Sequence, residues 1–299
     1  MLTFPLRAVF VLALTCLWFG PQAIADDGRS DRLRLITYNV WYGFTRVPER
    51  KPDYLRWMKD QAPDIVSLQE LNGYTEEKLA RDAETWGHAH SALLKTEGFP
   101  TGITSRERIE DIQRTLAGFH HGLLRAKVRG IYIYVIHLHP SNWETRTREI
   151  ELILKDIASL PKETDVILAG DFNTFSSRDA QYYEHGKLEP FFSQRDEKYG
   201  ERNLRDGQLD YSVIDRVAGA GLTDLELSKR DKNFVFSGSF PTKIEKPGDH
   251  GSARRLDYVF ATSELASRSI RAATIASDET WTLSDHLPVI VDFSPKHSE

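Results

Sequence analysis

Cysteine is almost missing from this chain. Cys16 is the only one in 299 residues. It lies in an N-terminal segment that reads as removable, so the mature protein is expected to have none. Disulfide staples, thiol nucleophiles and thiolate-bound zinc are thereby excluded. Long apolar runs are scarce as well. The run at residues 8–19 falls short of the ~20 residues a helix needs to cross a bilayer. It follows Arg7 and precedes Ala23-Ile24-Ala25. A basic start, an apolar stretch and a small-x-small tripeptide are the layout of an export signal, here cleaved after Ala25. Residues 1–25 are therefore read as a signal peptide and 26–299 as one exported domain, periplasmic or extracellular; an uncleaved anchor is the alternative. Positive charge is in deficit too. The net charge is -5, and loss of the signal removes only Arg7. Proteins that grip long nucleic acid without sequence preference carry a basic face, so this balance weighs against such a mode while leaving a local basic groove open. There is no internal repeat and no low-complexity segment. With 40% hydrophobic and 28% charged residues, the chain is an ordinary globular one, long enough to bury a large core.

What is present is organised as short apolar strands with helices between them. Residues 33–38, 65–68, 131–136, 166–169, 256–260 and 289–293 are short, β-branched or aromatic, and each adjoins polar residues. Residues 52–61 have apolar positions at helical spacing behind Pro52, and 147–160 place Ile150, Ile153, Leu154 and Ile157 on one face. Strands with intervening helices predict sheets covered by helices. Residues 177–208 are polar with scattered aromatics and read as a long surface excursion with some helix. Residues 239–253, with Pro241, Pro247, Gly248 and Gly251, read as a loop.

Polar residues collect where these strands end. Asn39 closes the first, Glu70 the second and His137 the third; Asp171 and Asn173 follow the fourth in Gly170-Asp171-Phe172-Asn173. Asp257 begins the strand Leu256-Asp257-Tyr258-Val259-Phe260, and Asp285-His286 precede the last. Alone, each has an ordinary explanation: Asn39 as a turn former, Glu70 as a solvated charge, His137 as a satisfied histidine, Asp171 and Asn173 as turn residues. Asp257 says more, because a carboxylate among apolar residues needs a partner. The set as a whole holds carboxylates, amides and imidazoles, and no serine or cysteine nucleophile motif accompanies it. Hard oxygen donors suit magnesium or manganese, and histidines suit phosphate oxygens. Together they predict water attacking a phosphoryl group beside a metal.

The ordered motifs Tyr38-Asn39, Gln69-Glu70, a strand-end His137, Gly170-Asp171-Phe172-Asn173, Leu256 to Phe260 and Ser284-Asp285-His286-Leu287-Pro288-Val289 resemble those of the endonuclease/exonuclease/phosphatase superfamily, which includes deoxyribonuclease I. The resemblance implies a four-layer α+β sandwich: two packed mixed β-sheets flanked by helices. It implies metal ligation by Asn39, Glu70 and Asp285, with Mg2+ the expected ion and Mn2+ an alternative. Asp171 would orient or deprotonate the water, and Asn173 would partner it near the phosphate. His137 and His286 would face the phosphate, and Asp257 would orient His286. His139 is expected to have no direct role.

The superfamily shares chemistry rather than substrate. Nucleic acid is the first candidate, with phospholipid or a small phosphodiester as the competing class and a non-catalytic binding module as the third reading. No protein partner is implied, and a monomer is expected. Residues 177–208 and 239–253 are the expected specificity elements. Arg106, Arg146 and Arg148 could touch phosphate but are expected to be solvated surface groups.

Overall fold

In this computed structural model, which describes residues 32–183, 186–244 and 249–295, the chain lays down one sheet, then a second, and returns to the first. The expected export signal at residues 1–25 lies outside the described residues. The first pass contains β1 (Leu33–Asn39), α1 (Lys51–Gln61), β2 (Ile65–Gln69), α2 (Glu76–Thr85), β3 (His90–Leu93) and β4 (Gly102–Ser105). The second sheet begins with β5 (Glu110–Thr115), β6 (Leu123–Val128), β7 (Ile131–His137), α3 (Trp143–Ser159) and β8 (Val166–Asp171). An excursion follows through α4 (Leu188–Tyr199) and the short ribbon β9 (Leu204–Arg205) and β10 (Gln208–Leu209). Then α5 (Ser212–Gly219), β11 (Leu222–Asp224), α6 (Leu225–Lys229) and β12 (Asp257–Thr262) complete the second sheet. Finally α7 (Ser263–Ser267), β13 (Ser269–Thr274) and β14 (Val289–Phe293) return to the first. The strand orders are β13-β14-β1-β2-β4-β3 and β11-β12-β8-β7-β6-β5. Each is mixed: β1 is parallel to β2 and antiparallel to β14, and β7 is parallel to β8 and antiparallel to β6.

Alternation along the central strands explains the layering. Leu35 of β1 and Ile133 of β7 point into a core between the sheets, with Ile65, Ile167, Val259 and Val291. Their neighbours Ile36 and Tyr134 point the other way. Ile36 meets Trp57, Met58 and Leu79 beneath α1 and α2. Tyr134 meets Ile150, Ile153 and Val213 beneath α3 and α5. Strands covered on both faces must be apolar on both faces, which is why the central segments read as continuous apolar runs. The result is the expected four-layer sandwich.

Two parallel pairs fix where the chemistry can be. In β1–α1–β2 and in β7–α3–β8, parallel strands end at the same edge. Asn39 is therefore level with Gln69, one residue before Glu70, and His137 is level with Asp171. Antiparallel β12 starts there, with Asp257 opposite Asp171. Gly170 permits this spacing: its φ is 144°, and an added Cβ would lie 2.1 Å from the Ile136 carbonyl oxygen.

The structure departs from the sequence reading in three places. The third helix starts at Trp143, earlier than 147, because Asn142 caps it by accepting from the Thr145 amide at 3.0 Å. That puts Arg146 inside the helix, and it is buried rather than solvated. The stretch 177–208 is more than a surface excursion. Leu188 and Phe192 of α4 pack with Phe175, Tyr183, Leu209, Phe240 and Leu256 into a small core of their own. Within 239–253, Ser239 is fully buried, and residues 245–248 lie outside the described residues.

Candidate active site

Asp171 is the hub. Its Oδ2 lies 3.1 Å from Asn39 Nδ2, 3.6 Å from His137 Nε2 and 3.8 Å from His286 Nε2. Its Oδ1 accepts from the Asn173 amide at 2.9 Å, which folds the chain back over the strand end with Asn173 at φ 49°. Asn173 Nδ2 donates to the Leu138 carbonyl at 3.1 Å and ties that turn to β7.

Glu70 reaches the same point from the first sheet. Asn39 Nδ2 donates to Glu70 Oε1 at 3.3 Å, so one amide bridges Glu70 and Asp171. The other Glu70 oxygen accepts from the Tyr42 amide at 2.9 Å, and Asn39 Oδ1 accepts from the Trp41 amide at 3.1 Å. These bonds hold an unusual turn. Trp41, Tyr42, Gly43 and Phe44 all have positive φ, between 47° and 63°. Left-handed backbone costs ~1–2 kcal/mol at each non-glycine residue. Gly43 is required there, since a Cβ would lie 2.3 Å from the Asn72 carbonyl oxygen. The strained turn sets Trp41 and Tyr42 on the rim of the site.

The two imidazoles differ in charge. His286 Nδ1 lies 2.7 Å from Asp257 Oδ2, and that oxygen also accepts from Ser239 Oγ at 2.7 Å. Burial by itself would lower the His286 pKa, but Asp257, Asp171 and Asp285 outweigh it, and the ring is held as a cation. Burial pushes His137 the other way, and neighbouring His121 and His286 add to the effect. His137 Nδ1 is buried without a hydrogen-bond partner, and the ring stacks on His121 at 4.2 Å between centroids. Burial also raises the Asp171 carboxyl well above the usual carboxylate range; His286 opposes this, and Asp257 and Glu70 reinforce it.

One cavity of about 490 Å3 is lined by Glu70, His137, Asp171, Asn173, Asp285 and His286, with Trp41, Tyr42, Phe191 and Phe240 among its other walls. All eight residues expected from the sequence thus come together directly or through one hydrogen bond: six line the cavity, Asn39 touches two of these and Asp257 touches one, His286. Asp257, the eighth, is buried behind His286 and does not reach the cavity. His139 turns away and packs on His120.

Sequence reading missed several residues. His120-His121 form a ring stack with His137 and His139. A histidine pair between Gly118 and Gly122 is a legible signal. Ser239 receives the Leu256 and Asp257 amides on the oxygen that donates to Asp257. Nothing in a Ser-Phe-Pro segment marks that role. Arg254 lines the cavity, and Arg106 and Arg148 do not.

The residues fit a hard divalent cation. Asp171, Asp257 and Asp285 set three carboxylates around the His286 imidazolium, and Glu70 joins Asp171 through the Asn39 amide, with no thiolate in the set. Asp171, Asp257 and His286 also offer ligand atoms within 4.8 Å of one another. Those three form an ion-pair cluster rather than a metal cage, because a charged His286 has no lone pair to give. Glu70 and Asp285 also line the cavity.

Comparison with known proteins identifies the family and matches the fold. A family profile described as the Endonuclease/Exonuclease/phosphatase family matches residues 36–286. No curated protein matches the sequence. Among solved structures, an AP endonuclease from Archaeoglobus fulgidus superposes with TM-score 0.63 at 19% identity, covering 87% of this chain and 99% of that one. A 3'-5' exonuclease from Neisseria meningitidis gives TM-score 0.64 at 19% identity, with coverage of 88% and 100%. A Neisseria 3' phosphatase bound to product DNA hairpin gives TM-score 0.63 at 18% identity, with coverage of 88% and 99%.

Proposed function

The chain belongs to the endonuclease/exonuclease/phosphatase family and is a phosphoester hydrolase, and on that premise we propose that it is exported and hydrolyses phosphodiester bonds with a divalent metal, nucleic acid being the first candidate substrate. The observation that carries the mechanism is the position of Asp171 between the two imidazoles and the amide that holds Glu70. A water bound there meets a carboxylate whose raised pKa suits it to take a proton. His286, charged, and His137, neutral, would face nonbridging phosphate oxygens from the other side, and Asn173 would donate to the phosphate. Asp257 would hold His286 in its orientation and charge without touching substrate. Glu70 and Asp285 would hold Mg2+ or Mn2+, with Asn39 fixing Glu70; when bound, the cation neutralises phosphate charge.

Support for nucleic acid comes from the neighbour solved with a product DNA hairpin and from the aromatic rim of the cavity, where Trp41 and Tyr42 offer faces for bases. The test is hydrolysis of DNA, RNA, sphingomyelin, inositol phosphates and a generic diester by the purified protein, with and without magnesium. Magnesium-dependent cleavage of DNA or RNA is the expected result. Cleavage confined to the lipid or the inositol phosphates would replace the substrate reading, and no hydrolysis of any of them would remove the catalytic one.

A further inference from the structure

Two arginines beside the cavity lack what buried arginines need. Arg146 and Arg254 are 1% and 5% exposed. Neither forms an ion pair among the described residues. Arg146 Nη1 donates to the His139 carbonyl at 3.1 Å, and its buried Nε has no partner. Arg254 Nη1 donates to the His250 and Ser252 carbonyls at 2.6 and 2.9 Å, and its buried Nε has none either. Phe240, Phe192 and Phe191 stack around the Arg254 guanidinium, with ring centroids 4.7, 5.3 and 5.8 Å away. Elsewhere in this chain a buried arginine is matched. Arg255, 1% exposed, is gripped by Asp179 and Asp224. Removing a guanidinium from water without a counter-charge is costly. The cost is visible here: burial pulls Arg146 down to about 10 although Asp210 and Glu149 act on it from a distance, and Arg254 to about 9.

The two side chains share a wall. A side cavity of about 40 Å3 is lined by both arginines, with Asn173 and Asn203 as its other polar lining and no carboxylate. Its volume exceeds the ~10–15 Å3 that one water requires. Asn173, Arg254, Asn203 and Phe192 also line the main cavity. A recess whose only charged groups are cations therefore adjoins an acidic reaction centre through a shared wall. Arg254 is also fixed relative to that centre. Its backbone pairs with Phe240, and the preceding Ser239 holds Asp257.

We propose that Arg146 and Arg254 form an anion subsite that binds a second phosphoryl group of the substrate, other than the phosphate being cleaved. The inference rests on the phosphodiesterase reading and extends it. The guanidinium fork matches phosphate oxygens in two parallel bonds, which a single water cannot replace. A second phosphoryl group reaches such a subsite from either of two sources: the neighbouring diester of a nucleic acid strand, or a terminal phosphomonoester on a short substrate.

Three substrates separate the sources: a dinucleoside monophosphate, the same compound with a terminal phosphate, and a trinucleotide without one. Wild-type kcat/KM should be at least tenfold higher for one of the last two than for the first. Preference for the second compound assigns the terminal monoester, and preference for the third the neighbouring diester. Arg254→Gln and Arg146→Gln should each shrink that preference towards one, while Arg254→Lys keeps part of it. A wild-type ratio near one for both comparisons overturns the proposal even where a variant fails to fold. Independently of turnover, inorganic phosphate titrated into the chelator-treated protein should bind at least tenfold more weakly to Arg254→Gln than to wild type; equal affinity overturns the subsite. Failure of the phosphodiesterase reading looks different: the wild type cleaves none of the three, and the phosphate titration still decides the subsite.

Discussion

His286 Nδ1 and Asp257 Oδ2 lie 2.7 Å apart in a pair that is buried from both sides. Only the far edge of the imidazole, Nε2, faces the cavity and Asp171. Asp257 therefore acts on substrate only through His286. Groups that act as a unit give non-additive losses. His286→Ala should lower turnover by roughly a hundredfold or more. Asp257→Asn should lower it by a smaller but large factor, and adding it to His286→Ala should cost little further. Turnover of both single variants and the double variant, with thermal melts to exclude unfolding, measures this. Losses that multiply as for independent sites would show that the pair is not a unit.

Asp171→Asn keeps the side chain's shape and removes its proton acceptor. Turnover should fall by roughly a hundredfold or more. Burial disfavours the ionised carboxyl at this position, so the neutral amide should leave the melting temperature at or above that of wild type. A variant that is both active and less stable would make Asp171 a structural residue.

Metal dependence should trace to Glu70. Chelation should abolish activity, and added Mg2+ or Mn2+ should restore it. Glu70→Gln keeps an oxygen but loses the charge, so the magnesium concentration for half-maximal activity should rise at least tenfold, with maximal turnover also reduced. The single glutamine oxygen can keep one of the two donors, the Tyr42 amide or Asn39 Nδ2, and the other loses its acceptor, so a thermal melt should show a folded protein with a modestly lowered midpoint. Full activity in excess chelator would refute the oxygen-ligand assignment.

Much of the site was legible because parallel βαβ units put successive strand ends at one edge. Asn39, Glu70, His137 and Asp171 each follow an apolar run that is buried on both faces, and such runs are easy to recognise. The edge strand of each sheet on the β3 and β5 side was harder. In β3, His90 is exposed and only Ala92 and Leu93 are deeply buried, and β5 is exposed along its whole length, so neither carries a clear apolar period. Arg146 was misread for a local reason: without the cap at Asn142, the helix seemed to begin after it. Arg254 and Ser239 were invisible for a non-local one. Their roles depend on a loop crossing back to β12, and residue type alone does not encode that crossing.

The export reading concerns residues 1–25 and is checked directly. Expressed with its full N-terminus, the protein should leave the cytoplasm, and N-terminal sequencing of the exported form should begin at Asp26. Recovery of Met1 on the exported protein would sink the cleavage assignment.

Stability should fall in mild acid, and His88 is a clear reporter of why. It is buried away from the active cavity, with Nδ1 2.8 Å from Thr104 Oγ1 and Nε2 2.9 Å from the Pro63 carbonyl. Burial pulls its pKa down to about 4, against ~6.5 in an unfolded chain. The folded state thus binds fewer protons than the unfolded state between these values. Stability is fully present above pH ~6.5 and is lost as the pH falls towards about 4. For His88 alone the loss is on the order of 3 kcal/mol. His121, drawn down to about 3, and His139, to about 4, push in the same direction. His286 does not offset them: its pKa is raised, to about 10, so its contribution is complete below pH ~6.5 and is lost only as the pH rises through about 10. The raised carboxyls of Asp171 and Glu149 take up protons in the folded state over the same range and offset part of the loss, so urea midpoints measured from pH 7.5 down to 4.5 should fall below 6.5 by less than the histidines alone would give. In His88→Gln the stability at pH 7.5 should be lower, because the two ring contacts are lost, but the slope against pH should be shallower by about one proton. An unchanged slope in that variant would mean that His88 is protonated in the folded protein and that its burial does not govern the acid limit.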